Sequence, residues 1–288
     1  MVGPLDLGQP LSLLSDGLSQ HGRLPTTQCR RLGPTQSKKI LITNKLINSH
    51  YGPMIINAND KWIGPSIEQF GAWAADDIEL IKSILEIQLR GKSHVTFYDV
   101  GANIGTHTVA LGRHFDSKIS IRSFEAQRHM YYLLCGNVAL NGLDNTTCHQ
   151  VAVGDGSMSS IDVVMPDYKK INNFGGLELM EAINSDNSLM SMDKTETVAC
   201  ATLDSFSEPV DFIKLDIEGM ESQALDGAKN IIANYKPVCF VEVLKSDIVK
   251  IQNYFRSMSY NCYKYKPDDW IFVPKDSDVE LDLPIVLC

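Results

Sequence analysis

One stretch constrains this chain more than any other. HVTFYDV (94–100) runs straight into the glycine turn GANIG, and THTVALGRHF follows with helical spacing. A nearly continuous β-favouring run suits an interior parallel strand covered on both faces. The pattern then recurs. ISIRSFEA (119–126) reads as strand, RHMYYLLCGNVAL (128–140) as helix and CHQVAVGD (148–155) as a third strand. DFIKLDIEG (211–219) is a strand ending in acids, a helix over 221–234 follows, and PVCFVEV (237–243) is the next strand. Ile248, Ile251 and Phe255 line one face of a further helix, and YNCYKYKPDDWIFVP reads as a hairpin across Lys266–Asp269. This alternation predicts an α/β fold, a doubly wound, mostly parallel Rossmann-like sheet with right-handed crossovers and a C-terminal antiparallel hairpin.

The flanks divide the chain. Residues 1–45 are rich in Gly and Pro with little periodicity and read as an irregular extension, leaving 46–288 as a single domain. KKILITNKLINSHYGPMIINAND reads as short strands around a turn, an N-terminal cover on that domain. A helix is expected after Ala74, with Asp76 and Asp77 in its first turn and Ile78, Ile81, Leu85 and Leu89 on one face. The interval 156–210 departs from simple alternation. SSIDVVM and ETVACAT read as accessory strands around the loop KKINNFGGLEL, an insertion expected to cover or shape the active site.

With 288 residues, 44% of them hydrophobic, the chain can build one substantial core. Its net charge of -9 is uneven: the first 50 residues carry six basic and two acidic residues, and the remainder is strongly acidic. Such a body argues against nonspecific capture of nucleic acid. The seven cysteines include no CxxC pair, and Cys148, Cys200, Cys239 and Cys262 lie in apolar or alternating runs. They read as buried free thiols in a reducing compartment. No apolar run approaches the ~18 residues of a membrane span, and the first twenty residues lack the pattern of a secretory signal. The expectation is a soluble, cytoplasmic protein.

Ligands of open α/β sheets settle beyond the carboxyl ends of the strands. Asp99 ends one strand, with Gly101 and Gly105 in the turn behind it, and Glu125 ends the next. A carboxylate there can accept hydrogen bonds from both ribose hydroxyls. Asp155, after Gly154, is placed to meet an adenine edge or simply to form a turn. GANIG is neither GxGxxG nor a phosphate loop. Asp99 would oppose a pyrophosphate, yet it suits an ammonium, directly or through water. Adenosine joined to a cationic amino-acid tail describes S-adenosyl-L-methionine.

FYDVGANIGTHT, SFEAQ, NVALNGL, VAVGD, TLDSF and DFIKLDIEGME together resemble the FkbM-type methyltransferases, over roughly residues 50–275. The resemblance implies class I methyltransferase topology, S-adenosyl-L-methionine as donor, and hydroxyls of sugars or natural products as acceptors. By position, Asp99, Gly101, Asn103 and Gly105 match the family's first cofactor loop, Glu125 its ribose-binding acid and Asp155 its adenine contact. Asp216, Glu218, Gly219 and Glu221 match the signature after the central strand. NDKWIGPSIEQFGAWAADD resembles the family's lead-in, which implies acceptor-side roles for Glu68, Gly71 and Trp73. SFEAQ departs from the pattern, since Ala126 and Gln127 stand where the family often has proline.

Methyl transfer to a hydroxyl needs a nucleophile in line with the methyl and a destination for its proton. Asp216 is the first catalytic candidate, able to accept that proton, orient the hydroxyl or support the cofactor loop; Glu218 and Glu242 are weaker candidates. His107 sits beside the cofactor turn, as a base or as local packing. Asn173, Gly175 and Gly176 suit an acceptor loop. No compact motif requires a metal, and none is expected. The partner expected is a small-molecule or carbohydrate acceptor. Two rival readings are an inactive nucleoside-binding or regulatory domain and an NAD-dependent oxidoreductase.

Overall fold

The computed structural model describes residues 43–176 and 195–283. The chain opens with an antiparallel hairpin, β1 (Asn44–Ser49) and β2 (Gly52–Asn57), followed by α1 (Ile63–Phe70) and α2 (Ala75–Leu89). The alternation then runs β3 (Val95–Val100), α3 (Thr106–Phe115), β4 (Ile119–Phe124), α4 (Arg128–Leu140) and β5 (Thr146–His149). Three strands leave it: β6 (Ala152–Val153), β7 (Ser160–Val164) and β8 (Thr195–Ala201). It resumes with β9 (Phe212–Leu215), α5 (Glu221–Asp226), α6 (Lys229–Tyr235), β10 (Val238–Glu242) and α7 (Ile248–Ser257). The closing hairpin is β11 (Tyr260–Lys264) and β12 (Asp269–Pro274).

Seven strands form the main sheet in the order β11-β12-β10-β9-β3-β4-β5. Every pairing from β10 to β5 is parallel, and β12 is the one antiparallel insertion, so the expected architecture is present. Alternate side chains fill two cores. Val95, Phe97, Ile119, Ile121, Phe212 and Phe240 pack with α2 and α3 on one face. Tyr98, Val100, Phe124, Ile213, Leu215 and Val241 pack with α5, α6 and α7 on the other. That alternation is the reason a nearly continuous apolar strand is stable here: both of its faces are buried. Strand order reverses between β3 and β9, which fixes where a ligand can enter.

Four local expectations differ. The run 148–155 is not one strand: β5 ends at His149, and β6 pairs in parallel with β8 in a separate three-stranded sheet, β6-β8-β7. The helix read over 221–234 breaks into α5 and α6 around Gly227, where a Cβ would lie 2.0 Å from the carbonyl of Gly154. Among the thiols, Cys239 and Cys262 are buried, whereas Cys148 and Cys200 are only half-buried. β1 begins at Asn44, inside the span read as irregular, and residues 1–42 lie outside the described residues. Part of the 156–210 insertion, residues 177–194, also lies outside them. No helix among the described residues is long and apolar enough to cross a membrane.

Candidate active site

The register of three parallel strands assembles a charged hub. Asp99 on β3 lies opposite Lys214 on β9, and Val241 on β10 lies opposite Leu215, so the next step sets Glu242 beside Asp216. Lys214 Nζ stands 3.6 Å from Asp99 Oδ1 and 3.2 Å from Asp216 Oδ2, and donates to the Gly101 carbonyl at 3.2 Å. Burial alone would lower the Lys214 pKa, but Asp216 and Asp99 outweigh it and hold the ammonium above the ordinary lysine value. Asp99 also accepts from Thr108 Oγ1 at 2.7 Å. Gly101 has φ of +80°, and a Cβ there would lie 1.7 Å from the Asp216 carbonyl, so only glycine lets the two strand ends approach this closely.

Past Gly101 the turn hangs from β4. The amides of Gly101 and Ala102 donate to the Phe124 carbonyl, and that of Asn103 donates to Glu125 Oε2 at 2.9 Å. Gln127 N donates to the other carboxylate oxygen at 2.7 Å. Asn103 takes a left-handed conformation, φ +51°, with its side-chain oxygen accepting from Ile104 N, a local bond that asparagine makes readily. Burial pushes Glu125 up to about 7, against the lowering pull of the two amides.

Beyond these strand ends lies a cavity of about 310 Å³. It is lined by Gly101, Asn103, Phe124, Glu125 and the 151–153 segment, which offer apolar surface and one carboxylate. Asp216, Glu218 and Glu242 line it as well. Burial and then the nearby Asp216 drive Glu242 up to about 10, so it is a neutral acid hydrogen-bonded to its neighbour. Burial would raise Asp216 too, but Lys214 and the bond from Glu242 hold it below the ordinary carboxylate range. The pair therefore shares one proton, with Lys214 favouring the negative charge on Asp216. Glu218 is raised by burial, with Lys245 Nζ 2.7 Å from its Oε2 opposing that shift. The oxygens of the three acids lie within 4.8 Å of one another, a spacing compatible with a divalent ion and the one such group among the described residues. Lys214 and Lys245 already neutralise two of them. His107 also lines the cavity, and burial, then Lys214, push it down to about 4, so it is neutral at physiological pH.

Trp62, Ile63, Trp73 and the Asn173–Gly176 loop also line the cavity. An isolated bridge between Asp60 and Asn172 starts that loop, and the buried Gln127 donates to the Phe174 carbonyl at 2.8 Å while accepting from Tyr168 OH. Gln127, one of the two residues at the departure from the family pattern, thus joins the Glu125 turn to the Asn173–Gly176 loop.

Of the sequence candidates, Gly101, Asn103, Glu125, Trp73, Asn173, Gly175, Gly176, Asp216, Glu218 and Glu242 meet around this one cavity. Four do not. Asp99 is fully buried behind Lys214 and does not face the cavity, which corrects the expectation of a direct ammonium contact. Gly105 packs towards Leu134 at the start of α3. Asp155 faces solvent and closes a turn with Ser157 N; Gly154 N bonds to Ala201, which draws this segment to the small sheet and away from the cavity. Glu68 lies on the outer face of α1, paired with Lys45. Gly71 ends α1 as a left-handed cap. Sequence reasoning missed Lys214, Lys245, Gln127 and Trp62. Only Lys214 had a clear signal, a lysine inside the apolar run FIKL, since a buried charge requires partners.

The profile of the Methyltransferase FkbM domain matches residues 99–262, more than half of the chain. Among solved structures, the chain is similar to the methyltransferase FkbM from Methylobacillus flagellatus KT, with 20% identity over 62% of this chain and 44% of that one (TM-score 0.44). It is also similar to the tRNA (uracil-54, C5)-methyltransferase of Pyrococcus abyssi in complex with S-adenosyl-L-homocysteine, at 9% identity over 80% and 43% (TM-score 0.42). A SAM-dependent methyltransferase from Aquifex aeolicus matches at 10% identity over 69% and 97% (TM-score 0.35). The chain spans less than half the length of the first two. No curated protein sequence matches it.

Proposed function

Because this chain belongs to the FkbM methyltransferase family, we propose that it uses S-adenosyl-L-methionine to methylate a hydroxyl on a sugar or small natural-product-like acceptor. One observation carries the reading: a single cavity joins the Glu125-lined slot to the Asp216, Glu218 and Glu242 carboxylates. The residues fit the donor. Glu125 keeps lone pairs for ribose hydroxyls after accepting its two amides, and the 151–153 segment and Phe124 give adenine an apolar wall. Asp216, which is open to the cavity, is the carboxylate placed for the ammonium end or for the acceptor hydroxyl, and Asp99 acts through Lys214.

When bound, the donor supplies an electrophilic methyl group: the acceptor oxygen bonds to it as the carbon–sulfur bond breaks, leaving a neutral thioether. Asp216 takes the hydroxyl proton. A carboxylate held at low pKa suffices, because the acceptor oxygen becomes strongly acidic as its new bond forms. Neutral Glu242 donates to Asp216 and keeps it oriented, while Trp62 and Trp73 flank the acceptor end. Among the described residues, Cys135, Cys148, Cys200 and Cys239 carry free thiols, which supports a reducing, cytoplasmic setting.

Calorimetry with S-adenosylhomocysteine, with NAD as control, tests the donor assignment. Selective binding that Glu125→Ala weakens at least tenfold supports it and justifies a labelled-donor screen over hydroxyl acceptors. Preference for NAD, or no binding by folded protein, overturns it. Binding with no transfer to any acceptor class would favour a regulatory domain.

A further inference from the structure

We infer that Lys245 is a positioning residue, a latch that fastens the Asn173–Gly176 acceptor loop to the carboxylate Glu218; the inference rests on the methyltransferase reading of this cavity. The loop is held at three points. Its start pairs with the segment before α1, where Lys61 N donates to the Asn172 carbonyl at 2.9 Å. Its middle is held by Gln127 at the Phe174 carbonyl. Its end is held by Lys245, whose ammonium donates to the Gly176 carbonyl at 2.9 Å and sits 2.7 Å from Glu218 Oε2. Of these three anchors, only the last meets one of the cavity's three clustered acids.

The carboxylate it meets needs holding. Glu218 sits in the left-handed region at φ +57°, a strained conformation for a residue with a Cβ, in a turn followed by Gly219 at φ +104°. The next acid shapes that turn from below: Glu221 is buried and accepts from the amides of Ile217 and Gly219. Ser246 Oγ also donates to Glu221. Consecutive residues after β10, Lys245 and Ser246, therefore clasp two acids of the signature turn, Glu218 and Glu221. Ser246 fixes the turn's backbone, and Lys245 fixes the direction of the Glu218 side chain and the height of the loop above it. The ion pair is mostly screened from solvent, with side-chain exposures of 23% and 17%, so it is worth more than an exposed pair.

Hydrogen exchange read by mass spectrometry, on the free protein and with S-adenosylhomocysteine bound, tests the latch in Lys245→Met, Lys245→Arg, Glu218→Gln and the Lys245→Met/Glu218→Gln double variant. The expected result is at least tenfold faster exchange in peptides covering 172–176 for Lys245→Met, with the main-sheet strands unchanged. Lys245→Arg should restore loop protection to within threefold of wild type, and the double variant should add nothing to Lys245→Met. Unchanged loop exchange in Lys245→Met overturns the latch. So does exchange that rises equally across the whole sheet, which would mark an ordinary stability contact. Failure of the wild-type protein to bind S-adenosylhomocysteine would instead overturn the donor assignment, and the exchange pattern of the free protein would still decide the latch.

Discussion

Glu125 holds two backbone amides with the same two oxygens that the proposed function gives to the ligand, and its protonation separates the two roles. Its pKa rises from 4.5 to about 7 through burial. Between those values the folded chain holds a proton that the unfolded chain has released. Stability present at low pH is therefore lost as pH rises through about 7, by up to about 3 kcal/mol for this group. Thermal melts from pH 4.5 to 8 should show that decline in wild type and a shallower one in Glu125→Gln. Donor binding runs the other way, since ribose hydroxyls donate best to an ionised carboxylate. S-adenosylhomocysteine affinity should climb severalfold between pH 6 and 8 in wild type, and stay flat in Glu125→Gln. The acid pair predicts a second contrast. Glu242→Gln replaces an already neutral group, so transfer should fall less than tenfold, whereas Asp216→Asn removes the base and should cost about 10²–10⁴ in kcat. Equal losses from the two substitutions would reverse these roles. The acids themselves were legible in the sequence because strand ends point at ligands. Their protonation was not, because it depends on a register that places Asp216 and Glu242 side by side.

At the scale of elements, Lys214 ties the ends of β3 and β9 through Asp99, Asp216 and the Gly101 carbonyl. Lys214→Met would leave Asp99 charged and buried without its cation, at a cost of about 3–5 kcal/mol in denaturant melts. Adding Asp99→Asn should recover part of that, and a loss below about 1 kcal/mol for Lys214→Met would show the hub to be dispensable. Gly101→Ala should fare worse than an ordinary turn substitution, losing more than about 2 kcal/mol or failing to fold, because the new methyl meets backbone rather than a movable side chain. Six of the seven main-sheet strands were legible as runs, most plainly β3, β9 and β10, where burial leaves an apolar signature, whereas the half-buried β5 (TTCH) was read only at its last two residues. The break between β5 and β6 was not, because CHQVAVGD is equally apolar on both sides of it and only the pairing with β8 divides it. The split of α5 from α6 was hidden for a related reason: the contact between Gly227 and Gly154 joins residues far apart in sequence. Gln127 looked like a departure from a pattern, and its bond to Phe174 depends on a loop 47 residues away.

For the whole molecule, the sequence reading set cofactor-binding strand ends apart from a 156–210 insertion expected to cover or shape the active site. The small sheet changes that division. Ala152 and Val153 line the cavity, yet they are hydrogen-bonded to β8 of the inserted segment rather than to the main sheet. Under the proposed function, the donor wall at 152–153 and the Asn173–Gly176 loop therefore belong to one stretch of sequence, residues 152–201. Whatever steadies that piece for one ligand lowers the ordering cost for the other, and the coupling is reciprocal by thermodynamic necessity. Once an acceptor is in hand, calorimetry should find that each ligand tightens the other by the same factor; a factor of one would mean that the small sheet is already rigid. Such a scaffold favours an obligate partnership over a fixed queue: neither substrate need arrive first, but each makes the other harder to release.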